Sequence, residues 1–373
     1  MKWVFWMAAA CIGYSYLGYP VWLWLRSRWA PRPVRRSHEE PAVSAVMVVR
    51  NEEAVIARKL ENLLALDYPE AKFEVVVVSD GSSDGTPGIL EQFSRGGRVR
   101  TALKPVSRGK ASGLNDAIQL ASGDVLLFTD ARQQIEPAAL RLLIENFGDP
   151  EVGAASGELM LGDPSTGETG KGMGLYWRIE KRIRDLESAS GSVAGATGAI
   201  YCARRGLVDV LPEGTILDDV LLPMQIVGKG ARVIFDPRAR AWDLPDLGER
   251  REFARKVRTL SGNYQLLQLA PWLLTSKNPI RFEFISHKLS RLVVPFALLA
   301  LLSASLFLSG PLYRAALIAQ LAFYALSLVA LAGVRIGPLS RVADPARTFV
   351  VLNFAAVVAF ANFVTGRKAV WAR

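Results

Sequence analysis

The sequence predicts an α/β domain built on a parallel sheet and carried between membrane-spanning helices. Three observations predict it. From residue 43 onward, short apolar runs alternate with amphipathic stretches, the pattern of strand–helix–strand units joined by right-handed crossovers. Several of those runs end in a carboxylate, and open α/β sheets collect their ligands at the carboxyl ends of their strands. Both ends of the chain are nearly free of charge over lengths that cross a bilayer, in a protein of mean hydropathy +0.20.

The N-terminal segment, residues 1–25, is the first expected span: its stretch from Trp3 to Leu25 is uncharged and rich in Trp and Tyr. A cleaved signal peptide is the other reading, but no small-residue cleavage site follows. Residues 26–41 carry five arginines among Pro31, Pro33 and Pro41, an extended basic linker that should lie on the cytoplasmic side. The net charge of +10 is confined to such flanks. Setting aside residues 1–37 and 292–373 leaves 32 basic and 34 acidic residues in between. The excess suits anionic lipid, and nucleic acid is not an expected partner. Cys11 and Cys202 are too few and too far apart for a disulfide framework or a zinc site.

Residues 42–270 form the expected catalytic section. Strands are predicted at Val43–Val49, Phe73–Val78, Val99–Leu103 and Val125–Thr129, with helices over 51–66, 86–93 and 110–121 between them. The pattern then mixes: helix 138–147, strand 152–159, charged helix 175–188, a Gly-rich strand 195–203, helix 218–227, strand 232–235 and basic helix 249–269. Residues 271–291 interleave Trp272, Phe282 and Ile285 with Lys277, Arg281, Lys288 and Arg291, which suits helices lying in the headgroup layer or an ordinary amphipathic surface. Residues 292–373 hold about three more spans, 292–308, 312–334 and 348–365, with Arg335, Arg341 and Arg347 in a cytoplasmic loop. Arg367, Lys368 and Arg373 then sit against the positive-inside trend. The spans hold no charged residue beyond Arg314 near one end, which argues against a transporter.

Three acidic sites fall at the ends of predicted strands or in the loops after them: Asp80, Asp130 and the pair Asp218 and Asp219. Asp80 opens a Ser/Gly-rich loop, where a carboxylate can accept hydrogen bonds from a base or ribose while Asp84-Gly85 reads as a turn. Arg50-Asn51-Glu52-Glu53 adds polar groups to the same edge. Asp130 can hold a divalent cation against a phosphorylated ligand or serve as a turn residue. Lys110, at a predicted helix start with Asn115 in the same helix, can meet a phosphate or be plain surface charge. Of Asp218 and Asp219, one can cap the helix and the other act as a general base. Glu180 and Glu187, in a charged helix, are expected to be solvated or paired structurally.

Taken in order, Val49-Arg50-Asn51-Glu52-Glu53, Ser79-Asp80-Gly81-Ser82-Ser83-Asp84-Gly85-Thr86, Gly109-Lys110-Ala111-Ser112-Gly113-Leu114-Asn115, Asp130-Ala131-Arg132 and Leu217-Asp218-Asp219 resemble the family 2 glycosyltransferases. The resemblance implies a GT-A fold, a nucleotide-sugar donor and inversion at the anomeric carbon. It places Asn51, Glu53 and Asp80 at the nucleoside, commonly uridine. Lys110, Asp130 and Arg132 fall at the sugar diphosphate, with Mg²⁺ or Mn²⁺ on Asp130. Asp219 takes the place of the catalytic base and Asp218 that of its neighbouring glutamate. Where the family carries Asp-x-Asp, this chain has Asp130-Ala131-Arg132, and arginine grips phosphate rather than metal. The stretch Arg255-Lys256-Val257-Arg258-Thr259 corresponds to the Gln-x-x-Arg-Trp motif of processive synthases. Arg255 and Arg258 remain as diphosphate ligands or as a basic face over the membrane, and Thr259 argues against processive addition. Gly195-Ala196-Thr197-Gly198 resembles the glycine-rich segment beneath the acceptor, although tight strand packing also explains its glycines. The implied activity is transfer of a hexose to a glycan or lipid acceptor in cell-surface polysaccharide or glycolipid synthesis at a bacterial inner membrane. Transfer to a polyprenyl phosphate, or a non-catalytic scaffold that senses nucleotide-sugars, are the alternatives.

Overall fold

The computed structural model describes residues 1–162, 175–243, 249–333 and 340–367. The chain starts as a helical rod, α1 (Lys2–Gly13) and α2 (Tyr19–Trp29), joined through a π-helical turn at Tyr14–Gly18. The catalytic section then runs β1 (Val43–Val49), α3 (Ile56–Leu64), β2 (Phe73–Asp80), α4 (Thr86–Ser94), β3 (Val99–Lys104), α5 (Lys110–Leu120) and β4 (Val125–Phe128). It continues through β5 (Gln134–Ile135), α6 (Ala139–Glu145), β6 (Val152–Leu161), α7 (Leu175–Ser190), β7 (Tyr201–Arg204), α8 (Asp218–Gly228) and β8 (Arg232–Asp243). The helices α9 (Glu249–Leu269), α10 (Arg281–Phe284), α11 (Ser290–Phe307), α12 (Pro311–Leu331) and α13 (Ser340–Val364) complete it.

The eight strands among the described residues join one mixed sheet in the order β3-β2-β1-β4-β7-β6-β8-β5. The first four pair in parallel; β1, β2 and β4 are largely buried apolar runs, as a strand covered on both faces requires, whereas β3 at the sheet edge is partly exposed and alternates with polar residues. Side-chain alternation splits the core into two layers. Met47 and Leu127 face α3 and α6, whose Leu60 and Leu140 meet them, while Val46 and Leu126 face α5 and α8 through Leu114 and Leu222. In α3, Ile56, Leu60 and Leu63 recur at helical spacing and are fully buried.

The topology locates the site. From β1 the chain winds outward to β2 and β3, then returns to place β4 on the other side of β1. The strand order therefore reverses between β1 and β4, and a crevice opens beyond their carboxyl ends. Phe128 is the last paired residue of β4, so Asp130 stands at that crevice.

Some boundaries differ from expectation for identifiable reasons. The helix predicted over 51–66 begins at Ile56, because residues 51–53 are bonded to the loop after β2. The predicted strand 195–203 is a strand only from Tyr201. Gly195 has φ +137° and Ala196 N–H donates to the Asp219 carbonyl at 2.7 Å, which bends the segment out of the sheet. The strand predicted over 232–235 extends to Asp243, paired with β6 and β5.

Among the described helices, three are long and apolar enough to cross a membrane: Arg281–Phe307, Pro311–Leu331 and Val342–Val364. The N-terminal rod is not among these three. It packs on α11 and α7, with Tyr14 Oη 2.6 Å from Ser286 Oγ where its π turn meets the one at Ile285–Leu289. Residues 281–291 run unbroken into the first apolar helix, and Leu273, Ile280 and Phe284 are buried in the same core layer as Leu222. Arg335, Lys368 and Arg373 lie outside the described residues.

Candidate active site

The loops that follow β1 and β2 are bonded to each other. Asn51 is the one described non-glycine residue with positive φ, 55°, a conformation asparagine tolerates well. Its side-chain oxygen accepts from Ser83 N–H at 2.8 Å, and its own N–H donates to Ser82 Oγ at 3.1 Å. Glu53 Oε2 accepts from Gly85 N–H at 2.6 Å, while Glu53 N–H donates to Asp84 Oδ2 at 3.1 Å. Asn51 and Glu53 thus order the loop edge. Asp84 is more than a turn residue, because its other oxygen accepts the Thr86 N–H at the start of α4.

Asp80 is buried and already ringed by donors. Ser107 Oγ at 2.6 Å, Arg108 N–H at 2.8 Å and Gly109 N–H at 2.9 Å all bind its carboxylate. Gly81 is forced by this arrangement: it has φ +67°, and a Cβ there would lie 2.5 Å from the Ser107 nitrogen. Asp80 therefore fastens the loop leading into α5, and so sets where Lys110 begins.

Lys110 is the centre of the site. Its Nζ lies 2.9 Å from Asp130 Oδ1 and 3.0 Å from Asp218 Oδ2, bridging the end of β4 to the start of α8. Burial works against its charge, but Asp130 and Asp218, with Asp219 behind them, hold its pKa above the ordinary lysine value. Asp218 is almost dry, whereas the Asp130 side chain is 41% exposed and can meet a ligand. Asp219 follows in the first turn of α8, where its Oδ2 accepts from Gly198 N–H at 3.2 Å. Burial first, and then repulsion from Asp218, push its carboxyl up to about 6.

The Gly195–Gly198 segment works by being small. A Cβ on Gly198 would come within 3.3 Å of Asp130 Oδ2 and 3.5 Å of Asp219 Oδ2, so glycine lets the backbone pass between the two carboxylates. Thr197 N–H donates to Ser156 Oγ at 3.0 Å, tying the same turn to β6.

Arg132 points elsewhere. Its Nη2 lies 3.3 Å from Asp243 Oδ1, and Arg255 Nη1 of α9 approaches the other oxygen at 4.0 Å. Asp243 is buried and also accepts from Gln133 Nε2 at 3.1 Å. The two arginines, separated by over a hundred residues, are brought together by an acid that sequence reasoning missed. Its signal was present: Asp243 closes a strand, as the recognised carboxylates do. Arg258 stands a turn further along α9 and is half-buried.

Two further residues escaped the sequence reading. Lys59 lies on the buried stripe of α3 between Ile56 and Leu60, a charged residue at an apolar position. Its Nζ donates to Thr129 Oγ1 at 2.8 Å and to the Gln133 carbonyl at 2.7 Å, bracing the turn that carries Asp130. Burial pulls its pKa down to about 7. Tyr201, opposite Phe128 in the sheet, stacks on that ring at 4.5 Å with 5° between planes. Glu180 and Glu187 lie away from this set; both bind the buried His287, at 3.0 and 2.8 Å.

Comparison with known proteins agrees with this arrangement. The model of "Glycosyl transferase family 2" matches residues 44–210. A poly-beta-1,6-N-acetyl-D-glucosamine synthase from Staphylococcus epidermidis is 27% identical over 245 residues, 64% of this chain and 59% of that protein. A beta-monoglucosyldiacylglycerol synthase from Synechocystis sp. is 28% identical over 195 residues, 50% of this chain and 40% of that protein. The matches thus span less than two thirds of either relative. The mannosyltransferase PcManGT from Pyrobaculum calidifontis, solved in complex with GDP-Man and Mn²⁺, superposes with a TM-score of 0.73. That alignment covers 98% of this chain and 100% of that one at 22% identity, which establishes a common GT-A fold. The matched section, residues 44–210, is thus a family 2 glycosyltransferase domain on a GT-A fold.

Proposed function

We propose that the protein is a membrane-bound inverting glycosyltransferase, with its catalytic domain on the cytoplasmic side. It moves a hexose from a nucleotide-diphosphate donor, a UDP-sugar, to a glycan or lipid acceptor in cell-surface polysaccharide or glycolipid synthesis. The observation that carries this reading is the cluster at the sheet's switch point: Lys110 shared between Asp130 and Asp218, with Asp219 alongside. The products named for the two relatives, one a glycan and one a glycolipid, support that range of acceptors. The nucleotide-sugar in the superposed mannosyltransferase supports the donor class.

In this reading Asp219 accepts the proton of the acceptor hydroxyl as that oxygen attacks the anomeric carbon, on the face opposite the diphosphate. The bond from carbon to the diphosphate oxygen breaks as the new one forms. A pKa near 6 suits a base that is ionised at neutral pH yet still takes a proton in the transition state. Lys110 lies beside Asp130 to balance the departing charge.

Among the described residues no three His, Cys, Asp or Glu side chains gather as a ready metal-ligand set. Asp130 offers one partly exposed carboxylate, which fits Mg²⁺ or Mn²⁺ shared with donor phosphates and water rather than a cage of protein ligands. Asp130 would hold such an ion, whose chemistry there would be to neutralise the diphosphate. The side chains of Arg132 and Arg255, 40% and 53% exposed beside Asp243, are the phosphate contacts of this scheme, with Arg258 a turn further along α9.

The test is Asp219→Asn assayed for sugar transfer in purified membranes. Transfer should fall at least about a hundredfold, the usual scale for losing a general base, while UDP still protects the protein against thermal unfolding. Transfer left intact would remove Asp219 from the role of base.

A further inference from the structure

Tyr201 is fully buried, and its hydroxyl has no hydrogen-bond partner. Protein cores rarely retain such a group, because its lost hydration is not repaid. Its surroundings are well defined. The ring is held by Phe128 and lies in the core layer that includes Ala111 and Leu114 of α5 and Leu217 and Val220 beside the first turn of α8. Lys110 and Asp218 begin those two helices. Tyr201 therefore lies on the same side of the sheet as the starts of those helices, and burial, then the charges of Asp218, Asp219 and Asp130, raise its pKa well above the ordinary tyrosine value, so the phenol stays protonated.

We propose that Tyr201 is a positioning residue that takes over Asp218 from Lys110 when a donor diphosphate draws the lysine away. This rests on the donor site described above. Lys110 now divides its charge between two carboxylates. A diphosphate carries more negative charge than either, so it competes for the flexible ammonium at the cost of the Asp218 contact. Asp218 is too dry to stand as an unpaired anion. The Tyr201 O–H donates to it in place of Lys110. Only hydrogen bonds are exchanged. The exchange keeps the first turn of α8 fixed, and with it the adjacent Asp219, while Lys110 is engaged with the donor.

The experiment compares the full chain in detergent with Tyr201→Phe, titrating UDP in the presence of Mn²⁺ and reading thermal unfolding and transfer kinetics. Without nucleotide, the variant should unfold at the same temperature or higher, since the hydroxyl has no bond to lose. Its UDP affinity should fall by about tenfold or more, the scale of one hydrogen bond to a charged group, and kcat should fall with it. A lower unfolding temperature without nucleotide, combined with unchanged UDP affinity, would mean a merely structural tyrosine and would overturn the proposal. Should Tyr201→Phe fail to fold, 3-fluorotyrosine placed at position 201 gives the answer in the intact chain. Its ¹⁹F resonance must move when UDP and Mn²⁺ are added, and a resonance that stays still overturns the exchange. If neither UDP nor GDP stabilises the unaltered protein, the donor reading itself fails and this proposal falls with it. Stabilisation of the unaltered chain and of Tyr201→Phe with equal affinity defeats the exchange alone.

Discussion

Asp219 shows how one residue acquires a function from its surroundings. An aspartate in water titrates near 4; here burial and the charge of Asp218 carry it to about 6. The sign of the resulting pH dependence follows directly. A base must be ionised, so transfer should be full above the folded value and decline as pH falls through about 6. Asp218→Asn removes a repulsive neighbour, which lowers the Asp219 pKa and should move the acid limb of the kcat profile to lower pH. A pH–rate profile of both proteins checks this, and a limb that stays in place would mean that another group sets it. The same contrast separates Lys110 from Lys59. Lys110 meets carboxylates and is held charged, whereas Lys59 meets only neutral oxygens and is pulled down to about 7.

At the scale of elements, Asp243 matters because it joins pieces that the chain order keeps apart. It ends β8, anchors Arg132 from the turn after β4, and draws Arg255 of α9 toward the same point. Removing its charge leaves both cations without their shared anchor. Asp243→Asn should raise the donor KM about tenfold with a smaller change in kcat, because binding rather than proton transfer is disturbed. Steady-state kinetics against donor concentration reads the split. A loss confined to kcat would place Asp243 with Asp219 in the chemical step. The Gly195–Gly198 turn argues the same way: a strand there would have carried Gly198 past Asp219, whereas the bend at Gly195 delivers it between two carboxylates.

At the scale of the molecule, the catalytic section and the apolar helices share one core. Leu266 of α9 and Leu273, Ile280 and Phe284 beyond it are buried in the layer that covers β1 and β4. On the opposite side of α9, Tyr264 stacks on Phe363 of α13 at 5.3 Å and Phe253 lies 6.0 Å from Phe354. The N-terminal rod is pinned as well: Tyr19 Oη donates to Glu187 at 2.5 Å, and Arg26 pairs with Glu283. A chain cut after residue 270 should therefore not behave as a soluble enzyme. Burying an aromatic or aliphatic side chain stabilises by about 1.5–3 kcal/mol, and this cut exposes several at once. Size-exclusion chromatography should show aggregate. A monodisperse, UDP-binding fragment would show that the catalytic section folds alone.

Much of this was legible in the sequence, and what was not has a common cause. Apolar runs and helical periods report local burial, so β1 to β4, α5 and α8 were found close to their true limits. The positions of Asp80 at the end of β2, Asp130 just past β4 and Asp218 and Asp219 at the start of α8 were legible, because the apolar runs beside them mark where those elements begin and end. Lys59, Asp243 and the partners of Glu187 were not, since each depends on contacts across seventy or more residues. The sequence by itself determined the parallel half of the sheet, β1 to β4, the apolar ends and the order of the acidic sites, because those follow from periodicity and composition along the chain; the antiparallel insertion of β7 was not legible. Only the tertiary structure decided that Lys110 bridges Asp130 to Asp218, that Arg132 turns to Asp243 instead of the cluster, and that Asp80 fastens the loop leading into α5. Those choices are made by charges competing for partners in a space of a few ångströms, and that space exists only once distant segments have packed.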